Sequence, residues 1–354
     1  MAYTTIDDPS AYFQTATWSG NNSNQAITND GNSDLQPDLL WIKARNEASD
    51  HALLDSSRGL TARLHSNTTD QETSDSSATI SSLDSDGFTM TQYNVANDSD
   101  DTGVAWQWKA NGGTTSSNGN GSITTTVQAN TTAGFSIVLY TSASGAQNIG
   151  HGLGAKPHMY IIKKRNAAGD DWFIYHHSIG AGKKLRLSQN SAEAADTNIW
   201  QNTEPTNTIA YLQNDGGGVN VSTGGTKNYV GYFFTSIKGY SKIHFYTGSG
   251  NDTGPFVYTG FRPGWLLIKD TGSTEQWQIK DTTRVSINPN YHPIYPNLAN
   301  VEGNNTNSKV DFLSNGFKIR NNDGSHNTSG RKYVYMAIAE EPLVSSEGVP
   351  ANAR

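Results

Sequence analysis

The chain has 354 residues, of which 35 are Gly and 35 Asn; 34% are hydrophobic, 16% charged, and the net charge is −7. Turn- and cap-forming residues at this density, with 10% aromatic strand-formers as anchors, exclude a helical bundle and a disordered chain and point to an all-β fold. The acidic balance argues against a nucleic-acid partner; the absence of Cys excludes disulfides, thiolate zinc sites and a Cys nucleophile; and no apolar stretch reaches the roughly 18 residues of a membrane-spanning helix.

Residues 1–11 form an acidic N-terminal tail without the basic start and apolar run of a signal peptide, so folding in a reducing cytoplasm is expected. Beyond it a pattern recurs three times. Pro37-Asp38-Leu39-Leu40-Trp41-Ile42-Lys43 returns as Pro157 to Lys163 and as Pro263 to Lys269, with Pro six positions before Lys and apolar residues between. An aromatic strand end lies upstream each time, Trp18, Tyr140 and Tyr246, at 19, 17 and 17 residues from the Pro. A second apolar run closes each unit, its Val at 67, 73 and 71 residues after the Pro: Val104, Val230 and Val334. Asp86-Gly87-Phe88 and Asn315-Gly316-Phe317 precede the first and third closing runs, while the second unit has the Gly216 to Gly218 run in that place.

The matched offsets predict three tandem related β-sandwich domains, jelly-roll-like and of about 100 residues each, at 12–110, 134–240 and 241–341. Residues 111–133 read as a Gly/Ser/Thr-rich linker with a weak strand near Ile123–Val127, and 342–354 as a C-terminal tail. The run Leu39–Ile42 is continuously apolar and predicts a strand buried on both faces, with its Pro at the strand start. Ser191–Asp196 is the one stretch expected to make a helical turn. Three such domains in one chain either imitate a three-fold trimer or stack as tiers of a homotrimer, and the sequence leaves both open.

Few residues point to chemistry. His176-His177 beside Tyr175, with Asp170 and Asp171 upstream, is the densest titratable cluster; the preferred reading is one His in and one out at an interdomain edge rather than a metal or acid–base site. The loop Asn97-Asp98-Ser99-Asp100-Asp101 departs from the EF-hand pattern and reads as a solvated turn. Lys43, Lys163 and Lys269 are expected to pack their stems and carry the ammonium to water, and the repeated Trp residues to anchor cores rather than stack on sugars. His51, His158 and His244 do not repeat at equivalent positions. No catalytic, metal or cofactor site is therefore expected, and no ligand-binding residue is singled out.

Three stretches resemble a family of tailed-bacteriophage virion proteins found in phages of marine bacteria and cyanobacteria. These are Gly121-Ser-Ile-Thr-Thr-Thr-Val127 with Asn130-Thr-Thr-Ala-Gly-Phe135, Ile149-Gly-His-Gly-Leu-Gly-Ala-Lys-Pro157, and the opening Thr4-Thr-Ile-Asp-Asp-Pro-Ser-Ala-Tyr-Phe13. The ending Ala339-Glu-Glu-Pro-Leu-Val344 is similar as well. The resemblance implies a non-enzymatic structural protein on the particle exterior, as tail-fibre component or head decoration. Other virion proteins, capsid or tail, would be its partners, with a homotrimer as a further possibility. A carbohydrate-binding adhesin for host-surface glycans is the alternative, and a glycan depolymerase is disfavoured because no carboxylate pair recurs in the repeats.

Overall fold

In the computed structural model, which describes residues 3–74, 80–92, 96–213 and 218–350, each apolar run of the repeat becomes a strand. Gly216 and Gly217 lie outside the described residues. The first repeat contains β1 (Phe13–Ser19), β2 (Gln25–Ile27), β3 (Leu39–Ala44), β4 (Ala52–Asp55), β5 (Gly59–Leu64), β6 (Thr73–Ser74), β7 (Ile80–Asp84), β8 (Gly87–Met90) and β9 (Thr102–Trp108). They form a main sheet in the order β1-β9-β3-β4-β5-β6 and a small sheet β2-β8-β7.

The second repeat follows with β10 (Ser116–Asn118), β11 (Thr125–Asn130), β12 (Phe135–Thr141), β13 (Gln147–Gly150), β14 (Met159–Lys164), β15 (Phe173–His176), β16 (Lys183–Arg186), β17 (Ala194–Ala195), β18 (Ile209–Leu212) and β19 (Asn228–Phe234). Its main sheet is β10-β11-β12-β19-β14-β15-β16-β17, and β13 pairs with β18. The third repeat has β20 (Ser241–Thr247), β21 (Phe256–Tyr258), β22 (Phe261–Asp270), β23 (Gln278–Asp281), β24 (Val310–Leu313), β25 (Gly316–Ile319) and β26 (Lys332–Pro342). Its sheets are β20-β26-β22-β23 and β21-β25-β24. All pairings within these sheets are antiparallel.

Register fixes which residues correspond. Trp106 lies between Thr15 and Trp41, Tyr232 between Ile137 and Ile161, and Met336 between Ile243 and Leu267. The two-residue period of a strand then sorts side chains onto two faces. Leu40, Ile42 and Ala105 pack against Phe88 and Met90 of the first small sheet; Tyr160, Ile162 and Phe233 do the same with Ile149 and Leu212, and Leu266, Ile268 and Ala337 with Phe317 and Ile319. The opposite faces of all three main sheets share a single core containing Trp41, Trp106, Ile161, Trp172, Leu267 and Trp277. A cavity of about 20 Å³ marks where they converge, between Leu39 and Trp108, Met159 and Phe234, and Trp265 and Met336.

Four local expectations need correction. Residues 111–133 are not a plain linker: β10 and β11 extend the second main sheet, and the N–H groups of Ala110, Gly112 and Gly113 bind the Asp38 carboxylate at 2.7–2.9 Å. The strand signal was weak because the residue β11 buries most completely is an amide, Gln128. Ser191–Asp196 contains β17, and the α-helical turn lies at Gly324–Asn327, where the Asp323 carboxylate caps the Ser325 N–H. The N-terminal segment is docked, with Ile6 in the shared core. Pro263 sits inside β22 rather than at its start, at a bulge in the pairing with β26, where a missing N–H is tolerated.

Candidate functional site

Contacts between neighbouring repeats follow one rule three times. The Glu72 N–H donates to the Arg165 carbonyl at 2.7 Å, Glu193 to Thr271 at 2.9 Å, and Glu302 to Arg45 at 2.6 Å. A ring N–H just before the strand that follows each Pro-to-Lys strand (β4, β15 and β23) repeats the pattern. Trp172 donates to the His65 carbonyl at 2.8 Å, Trp277 to Arg186 at 2.8 Å, and His51 Nε2 meets the Tyr295 carbonyl at 3.0 Å. The first repeat thus binds the second, the second the third, and the third the first: a closed head-to-tail ring. His51 occupies the tryptophan position of this ring. Its Nδ1 accepts from Trp41 Nε1 at 2.9 Å, so Nε2 carries the hydrogen, and burial pushes its pKa down to about 3.

Side-chain chemistry separates the three seams. Between the first and second repeats, Arg58 pairs with Asp55 at 2.5 Å and Glu72 at 2.9 Å, Arg165 of the second repeat joins Glu72 at 2.8 Å, and Tyr232 Oη donates to Asp55 at 2.7 Å. Between the third and first, Arg284 pairs with Asp281 and Glu302 at 2.6 Å, Arg45 of the first repeat joins Glu302 at 2.7 Å, and Trp106 Nε1 donates to Asp281 at 3.0 Å. Asp55, Arg58, Asp281 and Arg284 have fully buried side chains. A sequence signal for these networks exists: Asp-x-x-Arg begins 18 residues after Pro37 and again 18 after Pro263.

The seam between the second and third repeats carries His176 and Ile179 at the Asp and Arg positions, and Met336 where Tyr232 and Trp106 donate. Here the titratable cluster found in the sequence is joined by His158 and His244. His177 lies with its ring 4.8 Å from that of His158 and 5.6 Å from that of His244, and its Nε2 meets the Ile243 carbonyl at 2.9 Å. His176 is buried, with Nδ1 accepting from the Ser178 N–H at 3.2 Å, and His158 Nδ1 accepts from the Ser236 N–H at 3.1 Å. Burial lowers the pKa of all four imidazoles, His158 to about 4. Asp170 and Asp171 pair with Lys164 and Arg186. Among the described residues no group of three or more His, Cys, Asp or Glu side chains is arranged to hold a metal ion. In the 97–101 loop, Asn97 is buried and bonds Gln25, Ser23 and Thr91, while the Asp101 carboxylate accepts from the Asp98 N–H.

The repeated lysines do not reach water. Lys43, Lys163 and Lys269 are fully buried, their ammonium groups held by loop carbonyls: Ala44 and Glu47, Asp170, and Asp270 and Ser273, at 2.6–3.1 Å. The loop after each strand folds back over the lysine and supplies the oxygens that water would have supplied. Burial pulls each pKa down to about 8. Of the eight tryptophans, all but the half-buried Trp18 are buried, as expected of core anchors.

Exposed rings of the third repeat fall in two places among the described residues, Phe245 on the face of β20 toward the second repeat and Phe256 and Tyr258 on the small sheet. Phe245, Phe256 and Tyr258 on β20 and β21 are 38–48% exposed. Lys238 lies 4.7 Å from the Tyr3 ring centre, Lys242 5.4 Å from Tyr258 and Lys332 4.9 Å from Phe245, and the Tyr3 and Tyr258 hydroxyls meet at 3.2 Å. None of these lysines forms an ion pair with a carboxylate among the described residues. Rings beside lysines that pair with no described carboxylate suit an anionic ligand with an apolar face. No curated protein and no solved structure gives a significant match to the chain. Residues 8–342 match the family model described as "Domain of unknown function (DUF7483)", and the chain belongs to that family.

Proposed function

We propose that the chain is a non-enzymatic structural protein displayed on the exterior of a tailed-bacteriophage particle, as a tail-fibre component or head decoration. In this reading it consists of three tandem, jelly-roll-like β-sandwich domains of about 100 residues, folded in the host cytoplasm. The observation that carries it is the ring: three equivalent backbone bonds, at Glu72, Glu193 and Glu302, let one chain present quasi-three-fold symmetry. Such a unit suits a three-fold position on a larger assembly without trimerising. The virion assignment rests on the sequence resemblance. Antibody labelling of intact particles is expected to place the protein on their outer surface, and absence from purified particles would sink the assignment. Sedimentation is expected to return a monomer; a stable trimer would favour the tiered fibre instead.

The second reading, a glycan-binding adhesin, is favoured by the Tyr3, Tyr258, Lys238 and Lys242 group on the third repeat. A glycan array with the full chain tests it: acidic polysaccharides should bind, and Tyr258→Ala should weaken them, whereas no binding would remove this reading.

A further inference from the structure

Three equivalent strands, β1, β12 and β20, each stand where one repeat meets the next. Along each, the residues whose N–H and C=O groups turn away from the closing strand alternate with those that pair with it. The Lys109 N–H bonds the Tyr12 carbonyl, which places Thr15 among the outward residues; the same parity puts Ile137 and Ile243 there.

The three outward edges are treated differently. Beside Ile137 lies β11, antiparallel, with Gln128 opposite. The Gln128 amide fills the gap between repeats, donating to Ser56 and Ser57 at 2.8–2.9 Å and accepting from the N–H groups of Asn111 and Gly113 at 2.9–3.0 Å. Beside Ile243 the edge is closed by side chains: Ser236 Oγ accepts from its N–H at 3.0 Å and His177 Nε2 meets its carbonyl at 2.9 Å. Beside Thr15 no described residue takes this place. Its backbone has no outward partner among the described residues, and β1 ends the sheet.

What lies there instead is a groove of about 450 Å³ between β1 and the third repeat. Thr283, at the position of Ser57, lines it, as does Glu341, at the position of Asn111. Asp8, Asp30 and Glu340 complete four carboxylates, and among the described residues no basic side chain lines the groove. Asp8 is bonded to Ser10 and Ser33 and Glu340 to Arg262, while Asp30 has no partner among the described residues. We infer that this groove is the docking site for an extended, lysine- or arginine-bearing segment of a partner polypeptide, which adds a strand to β1 as β11 adds one to β12. Backbone bonds to the outward groups of Thr15 and Thr17 supply affinity, and the carboxylate lining selects a basic strand. The inference does not depend on the virion assignment.

The test uses the full chain and a synthetic peptide of residues 123–132 carrying Thr126→Lys and Ala129→Lys. Hydrogen exchange followed by NMR should show the amides of Thr15 and Thr17 protected on adding peptide. N-methylation at the peptide's Gln128, whose N–H faces the docked strand, should weaken binding at least about tenfold, whereas N-methylation at Val127, whose N–H faces away, should not. The same peptide without the two lysines should bind about tenfold more weakly at low salt. No protection of Thr15, or equal effects of the two N-methyl groups, would overturn the strand-docking inference. Equal binding without the lysines would overturn the basic-partner part. Protection of Thr15 in the protein alone, rising with a dimer in sedimentation, would assign the groove to a second copy instead.

Discussion

The seam between the third and first repeats and the seam between the second and third have the same backbone geometry and opposite side-chain chemistry. In one, Asp281 and Arg284 bury a salt bridge completed by Glu302, Arg45 and the Trp106 N–H. In the other, His176, Ile179 and Met336 stand at the Asp, Arg and donor positions, and the polar load has moved to a cluster of imidazoles. Both partners of the pair and its donor changed together, as they must: a lone carboxylate or guanidinium left in such a site would be an uncompensated buried charge. Backbone bonds and apolar packing therefore set the ring, while the buried charges decide how each seam responds to its surroundings.

The largest effect should come from breaking a charged seam. Arg284→Met leaves Asp281 and Glu302 without their shared cation, and urea denaturation should show a loss of about 3–5 kcal/mol. The double variant with Asp281→Leu should recover part of it; a single variant as stable as the parent would mean the network is not the seam's support. Next comes acid. The pKa of His158, His176, His177 and His244 is lowered by burial, so below the unfolded value of about 6.5 the unfolded chain binds more protons than the folded one. Stability is thus full above that value and falls as the pH drops toward 4. His176→Leu should reduce the proton uptake on unfolding between pH 4 and 6 by about one, read from the pH dependence of the urea midpoint; an unchanged slope would remove His176 from the response.

The buried lysines act in the same direction at higher pH. With folded pKa values near 8, Lys43, Lys163 and Lys269 release protons on folding between pH 8 and about 10.4, so stability should rise with pH over that window. Lys269→Met should reduce the proton release on folding in this window by about one; a curve identical to that of the parent would show that Lys269 does not contribute. The smallest effect belongs to the exposed rim of the histidine seam. Lys156→Met removes a half-exposed pair with Glu204 and should change stability by less than about 1 kcal/mol; a larger loss in urea would mean that the rim, not the buried cluster, holds this seam.

Much of the fold could be read directly. The Pro-to-Lys run and its closing partner repeat at fixed offsets because they are the central strands, where burial on both faces leaves little freedom of composition. The site was harder. The Asp-x-x-Arg pairs were present at matched positions, yet their meaning depends on Tyr232 and Trp106, donors 177 and 175 residues away. Lys43 looked like a strand-end lysine because nothing local reveals that the next loop's carbonyls enclose it. The His pair was visible, but His158 and His244 join it only through the contact of two repeats. β11 was obscured because Thr, Val, Gln and Ala alternate too weakly to declare a strand, and the groove beside Thr15 stands out only when its two filled counterparts are compared.

Ring closure has a consequence for how the chain is made. The Arg45–Glu302 contact joins residues 257 apart, so the first repeat to leave the ribosome must wait for almost the entire chain before its outer seam is covered. Until then Trp106 has no Asp281 to bond and His51 no Tyr295 carbonyl. Contacts of such long sequence separation slow folding and lengthen the time that apolar surface is exposed. Synthesis order therefore makes the third-to-first seam the last to form, and the same seam contains the vacant edge of β1.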